Sequence, residues 1–93
     1  MSGTEQYQTL DFTPTFLRSL VGQDFSAADR RRFLRALELL DTNERHRSLR
    51  VHQLHGPEEG IWSASASDEL RMTFLRREGG RKLMLTCSRH YRR

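Results

Sequence analysis

The second half of the chain carries imidazole, guanidinium and phenol side chains that can do chemistry on a phosphate: His52, Arg71, His90 and Tyr91. Cleaving RNA without a metal requires a base that takes the proton from a 2′-OH, a cation that stabilises the pentacovalent phosphate, and an acid that protonates the leaving 5′-oxygen. Imidazole transfers protons near neutral pH, and guanidinium binds phosphate. His52, Arg71 and His90 can fill these three roles if the fold brings them together.

Each of these residues also has a purely structural interpretation. His52 can be a surface residue of a strand, and Arg71 can pair with Asp68 or Glu69. The tail that contains His90 and its neighbour can be a C-terminal flap that packs on the sheet. Taken singly, none of the residues establishes a catalytic site.

Other catalytic chemistries find little support in the sequence. The four histidines and the single cysteine, Cys87, match no standard spacing of metal ligands. His52 and His55 are three residues apart, which places them on opposite faces of a strand. The chain contains no Gly-x-Ser-x-Gly nucleophile motif and no glycine-rich phosphate loop. We therefore expect neither a metal nor a cofactor.

Arg71 belongs to a stretch, residues 60–74, whose alternating apolar and polar side chains predict two strands joined by a tight turn. The apolar positions are Trp62, Ala64, Ala66, Leu70, Met72 and Phe74. Serines, Thr73 and Arg71 occupy the positions between them, and residues 67–69 suit a turn. One face of this ribbon is therefore predicted to be buried. The other is predicted to be a flat, hydroxylated surface on which Arg71 can bind a phosphate.

Two helices are predicted upstream from their start and stop signals. Thr13 caps a helix over Pro14–Val21, which ends before a glycine. A weak capping box formed by Ser26 and Asp29 opens a second helix over Ala27–Leu40. Each helix has an apolar stripe at helical spacing, so each is expected to pack one face against a core.

Further strands are predicted at residues 7–12, 50–55 and 82–87, the last after a Glu78-Gly79-Gly80 turn. The order of elements predicts one α+β domain spanning residues 1–93, with two N-terminal helices packed on one face of a four- to five-stranded, mainly antiparallel sheet. The predicted core comprises Phe16, Leu20, Phe33, Leu37, Trp62, Leu70, Met72, Phe74, Leu83 and Leu85.

Positive charge is concentrated near the C-terminal end. Residues 71–93 hold 8 of the 16 Lys and Arg residues against one acid, a net charge of +7, whereas residues 1–70 have a net charge of −3. Codon usage in a GC-rich genome explains the abundance of Arg equally well, but the clustering favours a nucleic-acid partner. The sequence shows no apolar run of about 18 residues, no signal-peptide pattern and only one cysteine, so a cytoplasmic location without a membrane partner is expected.

Taken together, these motifs resemble the RelE/ParE superfamily of toxin–antitoxin toxins, in particular the YoeB and YafQ types. Gly60–Ser63 followed by Asp68–Phe74 resembles the Gly-aromatic-Trp-Ser … Glu-Glu-His-Arg-Leu-Val-Tyr block of YoeB-type toxins. Cys87–Tyr91 is similar to their Cys-Arg-Tyr-His-Tyr ending, and His52–Gly56 resembles the His-x-Leu-x-Gly element of YafQ-type relatives. The strand–helix–helix–strands order also agrees, so the resemblance covers roughly the whole chain and implies a RelE-like fold.

The resemblance implies a small toxin that enters the ribosomal A site and cuts mRNA there. In that comparison Arg71 matches the phosphate-stabilising Arg, His90 the general acid, and Tyr91 the neighbouring Tyr that orients RNA. His52 stands where YoeB-type toxins have a general-base Glu and YafQ-type toxins have a His. Arg89 resembles the phosphate-binding Arg of RelE-type tails. The further residues expected to bind RNA are Arg50, His55 and Arg92.

The chain also departs from the YoeB pattern, since Ala64 and Ser65 replace two Arg after Trp-Ser and Phe74 replaces a Tyr. These departures imply a weaker basic site or a different mode of RNA docking. Two other interpretations stay open: a ParE-like DNA gyrase inhibitor on the same fold, and a non-toxic binding module. The expected partners of a nuclease are a cognate antitoxin, the 70S ribosome and mRNA, and the free protein is expected to be a monomer or a weak dimer.

Overall fold

Two helices and five strands follow one another in the order that the sequence predicts. The computed structural model describes residues 7–89, with the exception of the Glu58 side chain. The elements are β1 (Leu10–Phe12), α1 (Pro14–Val21), α2 (Ala27–Thr42), β2 (His52–Gln53), β3 (Trp62–Ser65), β4 (Leu70–Arg77) and β5 (Arg81–Arg89). Short 3₁₀ turns lie at Arg47–Leu49, Gly56–Glu58 and Glu78–Gly80.

The strands form one sheet in the order β1-β5-β4-β3-β2. The three pairings among β2, β3, β4 and β5 are antiparallel, whereas β1 runs parallel to β5. Turns with left-handed glycines make the tight connections possible, as at Gly79 and Gly80, whose φ angles are 74° and 75°. The α+β prediction, with two helices on a mainly antiparallel sheet, is confirmed.

Both helices begin at the predicted signals. The Thr13 hydroxyl accepts a hydrogen bond of 3.0 Å from the backbone N–H of Phe16 and so caps α1. Ser26 and Asp29 form a reciprocal capping box at the start of α2. Helix α1 has the predicted bounds, and α2 continues one half turn beyond the predicted end, to Thr42.

A single apolar core lies between the helices and one face of the sheet. Phe16, Leu20, Phe33 and Leu37 of the helices are buried there, as predicted. Leu70, Met72 and Phe74 of β4 are buried against them, and Ala64 of β3 is fully buried. Trp62 is half-buried at the edge of the core, and the guanidinium of Arg76 lies over its ring at 4.3 Å.

The predicted core positions Leu83 and Leu85 are wrong, because β5 contains a bulge. Thr73 pairs with Thr86 but Phe74 pairs with Met84, so Leu85 is an extra residue opposite the β4 backbone. The extra residue changes the phase of the alternation. Met84 and Cys87 therefore face the core, whereas the two leucines are only half-buried.

The same change of phase turns Lys82 inward, where it is buried. Its ammonium group lies 3.3 Å from a carboxylate oxygen of Glu44 and donates to the hydroxyl of Thr9 at 3.2 Å. Glu44 also accepts two hydrogen bonds from the guanidinium of Arg76. A buried charge is tolerated only when it is paired, and this network joins the end of α2 to β4 and β5.

The strands differ in length from the predicted segments. Pairing of β1 is limited to Leu10–Phe12, and β2 is two residues long instead of six. By contrast, β4 and β5 extend beyond their predicted ends, because each is the other's partner over its whole length. Within residues 7–89, neither helix is long and apolar enough to cross a lipid bilayer.

Candidate functional site

The face of the sheet opposite the helices, here called the open face, carries the polar side chains of the three central strands. Cross-strand partners share a face, and the register places His52 opposite Ser63, Ser63 opposite Thr73, and Thr73 opposite Thr86. Arg71 lies two residues from Thr73 along β4, so it shares the open face. The structure therefore brings His52 and Arg71 to the same side of the sheet.

Arg71 is held by the turn that precedes it. Its Nη1 donates to the carbonyl oxygen of Ser67 at 2.8 Å and to that of Leu70 at 3.3 Å. Among the described residues, no partner bonds to Nε or Nη2 of this guanidinium. The side chain is half-buried, with its remaining donors available to an anion such as phosphate.

Arg71 does not make the ion pairs that its neighbours in sequence suggest. Asp68 pairs with Arg50 at 3.7 Å, and Glu69 pairs with Arg89 at 3.2 Å. The charge of Arg71 is therefore not neutralised by either carboxylate, and the alternative that Arg71 pairs with Asp68 or Glu69 is wrong.

His52 is exposed and its ring is oriented by the backbone. Its Nδ1 lies 2.7 Å from the carbonyl oxygen of Arg50. A carbonyl oxygen can only accept, so Nδ1 carries the proton of the neutral ring and Nε2 keeps the lone pair. This tautomer suits a general base, because the unprotonated Nε2 can accept a proton.

His52 and Arg71 are separated by one strand. The strand spacing places their backbones about 10 Å apart across the sheet, and the register offsets them by about 7 Å along it. At that separation the two side chains are out of contact with each other. A ligand on the open face can lie between them, which is the arrangement that a base and a phosphate-binding cation require.

The open face is less hydroxylated at its surface than predicted. Ser63 and Ser65 are each only 5% exposed, so the prediction of a flat serine surface is wrong for these two positions. Both are short side chains beside larger residues of β4. Accessible hydroxyls remain on Thr73, Thr86 and Ser88 of this face, and the Oγ1 atoms of the two threonines are 2.6 Å apart.

The structure does not bring Arg89 to the open face. It pairs with the buried Leu70 and so lies on the side of the helices, at the end of β5. Its guanidinium forms an ion pair with Asp29 of the α2 capping box and another with Glu69. The bond from the Ser26 backbone and the ion pair with Arg89 lower the pKa of Asp29. Arg89 thus joins β5 to the start of α2, and its role in RNA binding stays a prediction.

Arg50 and His55 flank the short strand β2. Arg50 has a left-handed backbone conformation, with φ of 47°, directly after the 3₁₀ turn Arg47–Leu49. His55 is exposed and precedes the 3₁₀ turn Gly56–Glu58. Both residues are accessible to a ligand. The predicted acid His90, together with Tyr91 and Arg92, lies outside the described residues.

The sequence reasoning missed a second group of polar residues beside the open face. A groove separates residues 46–50 from the β3–β4 turn, residues 65–68. His46 lies in its wall, and Arg32 and Arg35 of α2 line its continuation toward the helices. The sequence indicates this group only through the arginines of α2 that lie mostly off its apolar stripe, which can form either a basic binding face or a solvated helix surface: Arg30, Arg31, Arg32 and Arg35.

Burial makes the remaining reactive side chain inert. Cys87 is buried, and desolvation raises the pKa of its thiol to about 11. Among the described residues, no three His, Cys, Asp or Glu side chains are grouped so that they could hold a metal ion.

Several solved structures share this fold. The YoeB/ParE toxin from Agrobacterium tumefaciens is similar with a TM-score of 0.65 and 20% sequence identity, over 90% of this chain and 100% of that chain. The RelE–RelB complex from Pyrococcus horikoshii OT3 gives a TM-score of 0.68 and 20% identity, over 95% of this chain and 99% of that chain. The toxin–antitoxin complex RelBE2 from Mycobacterium tuberculosis gives 0.59 and 21%, over 88% and 96%.

At these identities the likeness establishes the fold, so the chain has the RelE/ParE toxin fold over nearly its whole length. The sequence matches no protein-family model and no curated protein. The fold expected from the resemblance is therefore confirmed by structure.

Proposed function

We propose that this chain is the toxin of a type II toxin–antitoxin module and acts in the cytoplasm as a ribosome-dependent endoribonuclease on mRNA. The observation that carries the proposal is the placement of His52 and Arg71 on one open face, the first with Nε2 as its accepting nitrogen and the second with unbonded donors. The toxin–antitoxin structures that share the fold support it.

In the proposed mechanism, Nε2 of His52 takes the proton from the 2′-OH of the substrate. The 2′-oxygen attacks the adjacent phosphorus, and Arg71 stabilises the charge that builds up on the phosphoryl oxygens. The bond to the 5′-oxygen breaks as His90 donates a proton to it. The products are a 2′,3′-cyclic phosphate and a 5′-OH, and no redox change or metal is needed.

His90 and Tyr91 enter this mechanism from the sequence alone. Ser88 is the cross-strand partner of Arg71, and His90 follows it by two residues in the chain. This spacing is consistent with an acid near the scissile phosphate. Tyr91 is proposed to orient the RNA by stacking on a base, while Arg50, His55, Arg89 and Arg92 are proposed to bind the RNA backbone.

The proposed partners follow from charge and from the relatives. A chain segment with a net charge of +7 attracts a polyanion such as ribosome-bound mRNA. A cognate antitoxin is proposed to cover the same basic surface when the toxin is silent, since the Mycobacterium tuberculosis structure is a toxin–antitoxin complex. Released from it, the chain is proposed to be a monomer or a weak dimer.

A ParE-like gyrase inhibitor is the second candidate, because one fold can carry several functions. The Agrobacterium tumefaciens structure bears both names, YoeB and ParE. An inhibitor that does no proton transfer has no use for an oriented histidine on the same face as an unneutralised arginine. The tautomer of His52 and the free donors of Arg71 therefore favour the nuclease.

Controlled expression in bacteria separates these candidates. The nuclease proposal predicts that incorporation of labelled amino acids stops within minutes, while the supercoiling of a reporter plasmid stays unchanged. Relaxed plasmid with continuing translation would support the gyrase inhibitor instead. Normal growth with intact translation and supercoiling would favour a non-toxic binding module. The Arg71→Ala variant is the matched control, since removal of the Arg71 side chain should relieve the arrest of translation.

A further inference from the structure

The groove beside the open face, here called the connector groove, has two walls of different origin. One wall is the connection between α2 and β2, residues 46–50, and the other is the β3–β4 turn, residues 65–68. The groove exists because β2 pairs with β3 only at Trp62 and Ser63, so that, among the described residues, Ala64 and Ser65 have no neighbouring strand on the β2 side. Helix α2 borders its continuation.

Cations outnumber acids along the connector groove. Arg47 and Arg50 lie on the first wall, and Arg35 of α2 is exposed where the groove continues. Within residues 7–89, neither Arg35 nor Arg47 makes an ion pair. Among the residues that the structure describes, Asp68 is the only acid that lines the part between the walls. Guanidiniums without an acidic partner in a groove attract anions.

His46 contributes a neutral donor to this groove. The backbone N–H of Ser48 donates to Nδ1 of His46 at 3.2 Å, and the Ser48 hydroxyl lies 2.8 Å from the same nitrogen. A backbone N–H can only donate, so Nδ1 accepts and the proton of the neutral ring is on Nε2. This tautomer is the opposite of that of His52. His46 therefore offers an N–H donor to a ligand where His52 offers an acceptor.

The two residues of the proposed site that the structure describes, Arg71 and His52, are each bonded to a wall of this groove. The carbonyl of Ser67, in one wall, holds Nη1 of Arg71. The carbonyl of Arg50, in the other wall, orients the ring of His52. A polymer that lies in the groove therefore passes close to Arg71 at one wall and His52 at the other.

An ion pair between Asp68 on one wall and Arg50 on the other spans the groove. The two charged groups lie 3.7 Å apart, and the side chains of Asp68 and Arg50 are 71% and 62% exposed. Such an exposed pair contributes little to stability, so it opens at small cost when a competing anion arrives. The carboxylate nevertheless repels a phosphate and occupies Arg50.

We infer that the connector groove binds the phosphodiester backbone of single-stranded RNA next to the scissile phosphate, with Arg35, His46 and Arg50 as ligands and Asp68 as an anionic gate over Arg50. This inference rests on the proposed function, since it names the path of the substrate of that same site. It adds two RNA ligands and an inhibitory carboxylate to the residues predicted from the sequence.

The test is the binding of a fluorescent RNA of about ten nucleotides in which every 2′-OH is methylated, so that it cannot be cleaved. Fluorescence anisotropy at several salt concentrations gives affinity and salt dependence. Arg35→Gln and His46→Asn should each weaken binding about threefold or more, and Arg35→Gln should lower the slope of log K against log salt by about 0.7. Asn retains an acceptor for the Ser48 N–H, so the turn is preserved.

Asp68→Asn should have the opposite effect and tighten binding about threefold, because it removes a repulsion and releases Arg50. Two variants control for net charge alone: Arg31→Gln, exposed on α2, and Asp24→Asn, exposed between the helices. Both residues lie outside the groove lining. The inference is overturned if the groove variants bind RNA no differently from these controls.

A polyglutamate peptide separates RNA from an acidic protein as the occupant. If the peptide binds more tightly than the RNA and loses affinity in the same variants, the groove belongs to a protein partner and the inference fails. The proposed function is tested separately by cleavage on ribosomes. If RNA binding depends on the groove but ribosomal mRNA is not cleaved, the proposed nuclease function is wrong. If the groove variants cleave mRNA as fast as the wild type, the proposed RNA path through the connector groove is wrong.

Discussion

Main-chain carbonyls orient the side chains of Arg71 and His52. The carbonyls of Ser67 and Leu70 use one nitrogen of the guanidinium and fix its direction, which leaves the other donors for a ligand. The carbonyl of Arg50 selects the His52 tautomer. Such backbone contacts depend on turn geometry, so they could not be read from the spacing of residue types in the sequence.

The buried thiol of Cys87 allows a residue-scale prediction that is independent of function. Burial raises its pKa to about 11, so the thiolate fraction is roughly a hundredfold lower than for an ordinary thiol. Reaction of the native protein with iodoacetamide at pH 8, followed by mass spectrometry, should be slower by about that factor than reaction of the protein in guanidinium chloride. Equal rates in the two conditions would contradict the buried position.

The bulge at Leu85 decides which residues of β5 stabilise the fold. The alternation of Leu83, Leu85 and Cys87 predicted one continuous buried face, and that prediction fails because one extra residue inverts the alternation on one side of the bulge. Bulges have no reliable signature in a single sequence. The ion pair of the buried Lys82 with Glu44, which follows α2, was also unpredictable, because the pairing is long-range.

The bulge makes a prediction that distinguishes two neighbouring residues. Met84→Ala should lower the free energy of unfolding by about 2–5 kcal/mol, because it leaves a cavity beside Phe74 in the core. Leu83→Ala should cost much less, since that side chain is only half-buried on the open face. Urea unfolding followed by circular dichroism measures both. A larger loss for the Leu83 variant would restore the alternation predicted from the sequence.

Local signals fixed the helices better than the strands. The Thr13 cap and the capping box of Ser26 and Asp29 involve contacts within three residues, so the start of each helix was predicted correctly. The face of β3 and β4 that packs on the helices was also predicted, since apolar residues such as Ala64 and Met72 alternate with polar residues along each strand. The parallel pairing of β1 with β5 joins the two ends of the chain and leaves no local trace.

Across the whole molecule, carboxylates hold distant elements together. A bond from Arg81 lowers the pKa of Asp11, and bonds from Arg76 do the same for Glu44. Partial burial acts to raise the pKa of Asp41, but hydrogen bonds from Thr9 and Gln8 outweigh it and the net shift is downward. These carboxylates connect β1, the end of α2 and the β4–β5 pair.

Lowered carboxyl pKa values set the direction of the pH dependence. The unfolded chain binds these protons more readily than the folded chain, so their contribution to stability is fully present above about pH 5 and is lost as the pH falls through the folded pKa values. The free energy of urea unfolding should therefore decrease steadily from about pH 5 to pH 3. Glu44→Gln should be less stable at pH 7 and should show a shallower decrease. A variant as pH-dependent as the wild type would contradict the role of Glu44.

One fold can carry several functions, so the shape of the whole molecule does not decide what the chain does. The charge distribution of the chain and the side chains on the open face favour the proposed RNA cleavage over the other candidate functions. Residues 71–93 carry a net charge of +7, and Arg71 on β4 stands on the face that also presents His52. The proposal of RNA cleavage therefore depends on two residues that a single experiment can interrogate together.

Primer extension on mRNA from ribosomes incubated with purified protein tests that proposal most directly. The wild type and the Arg31→Gln control should produce the same new stops within the codon in the A site. Arg71→Ala should reduce their rate of appearance about 10²-fold, and His52→Ala about 10²–10⁴-fold. If the wild type produces no stops, or if both variants cut as fast as the control, then His52 and Arg71 do not form a ribonuclease site.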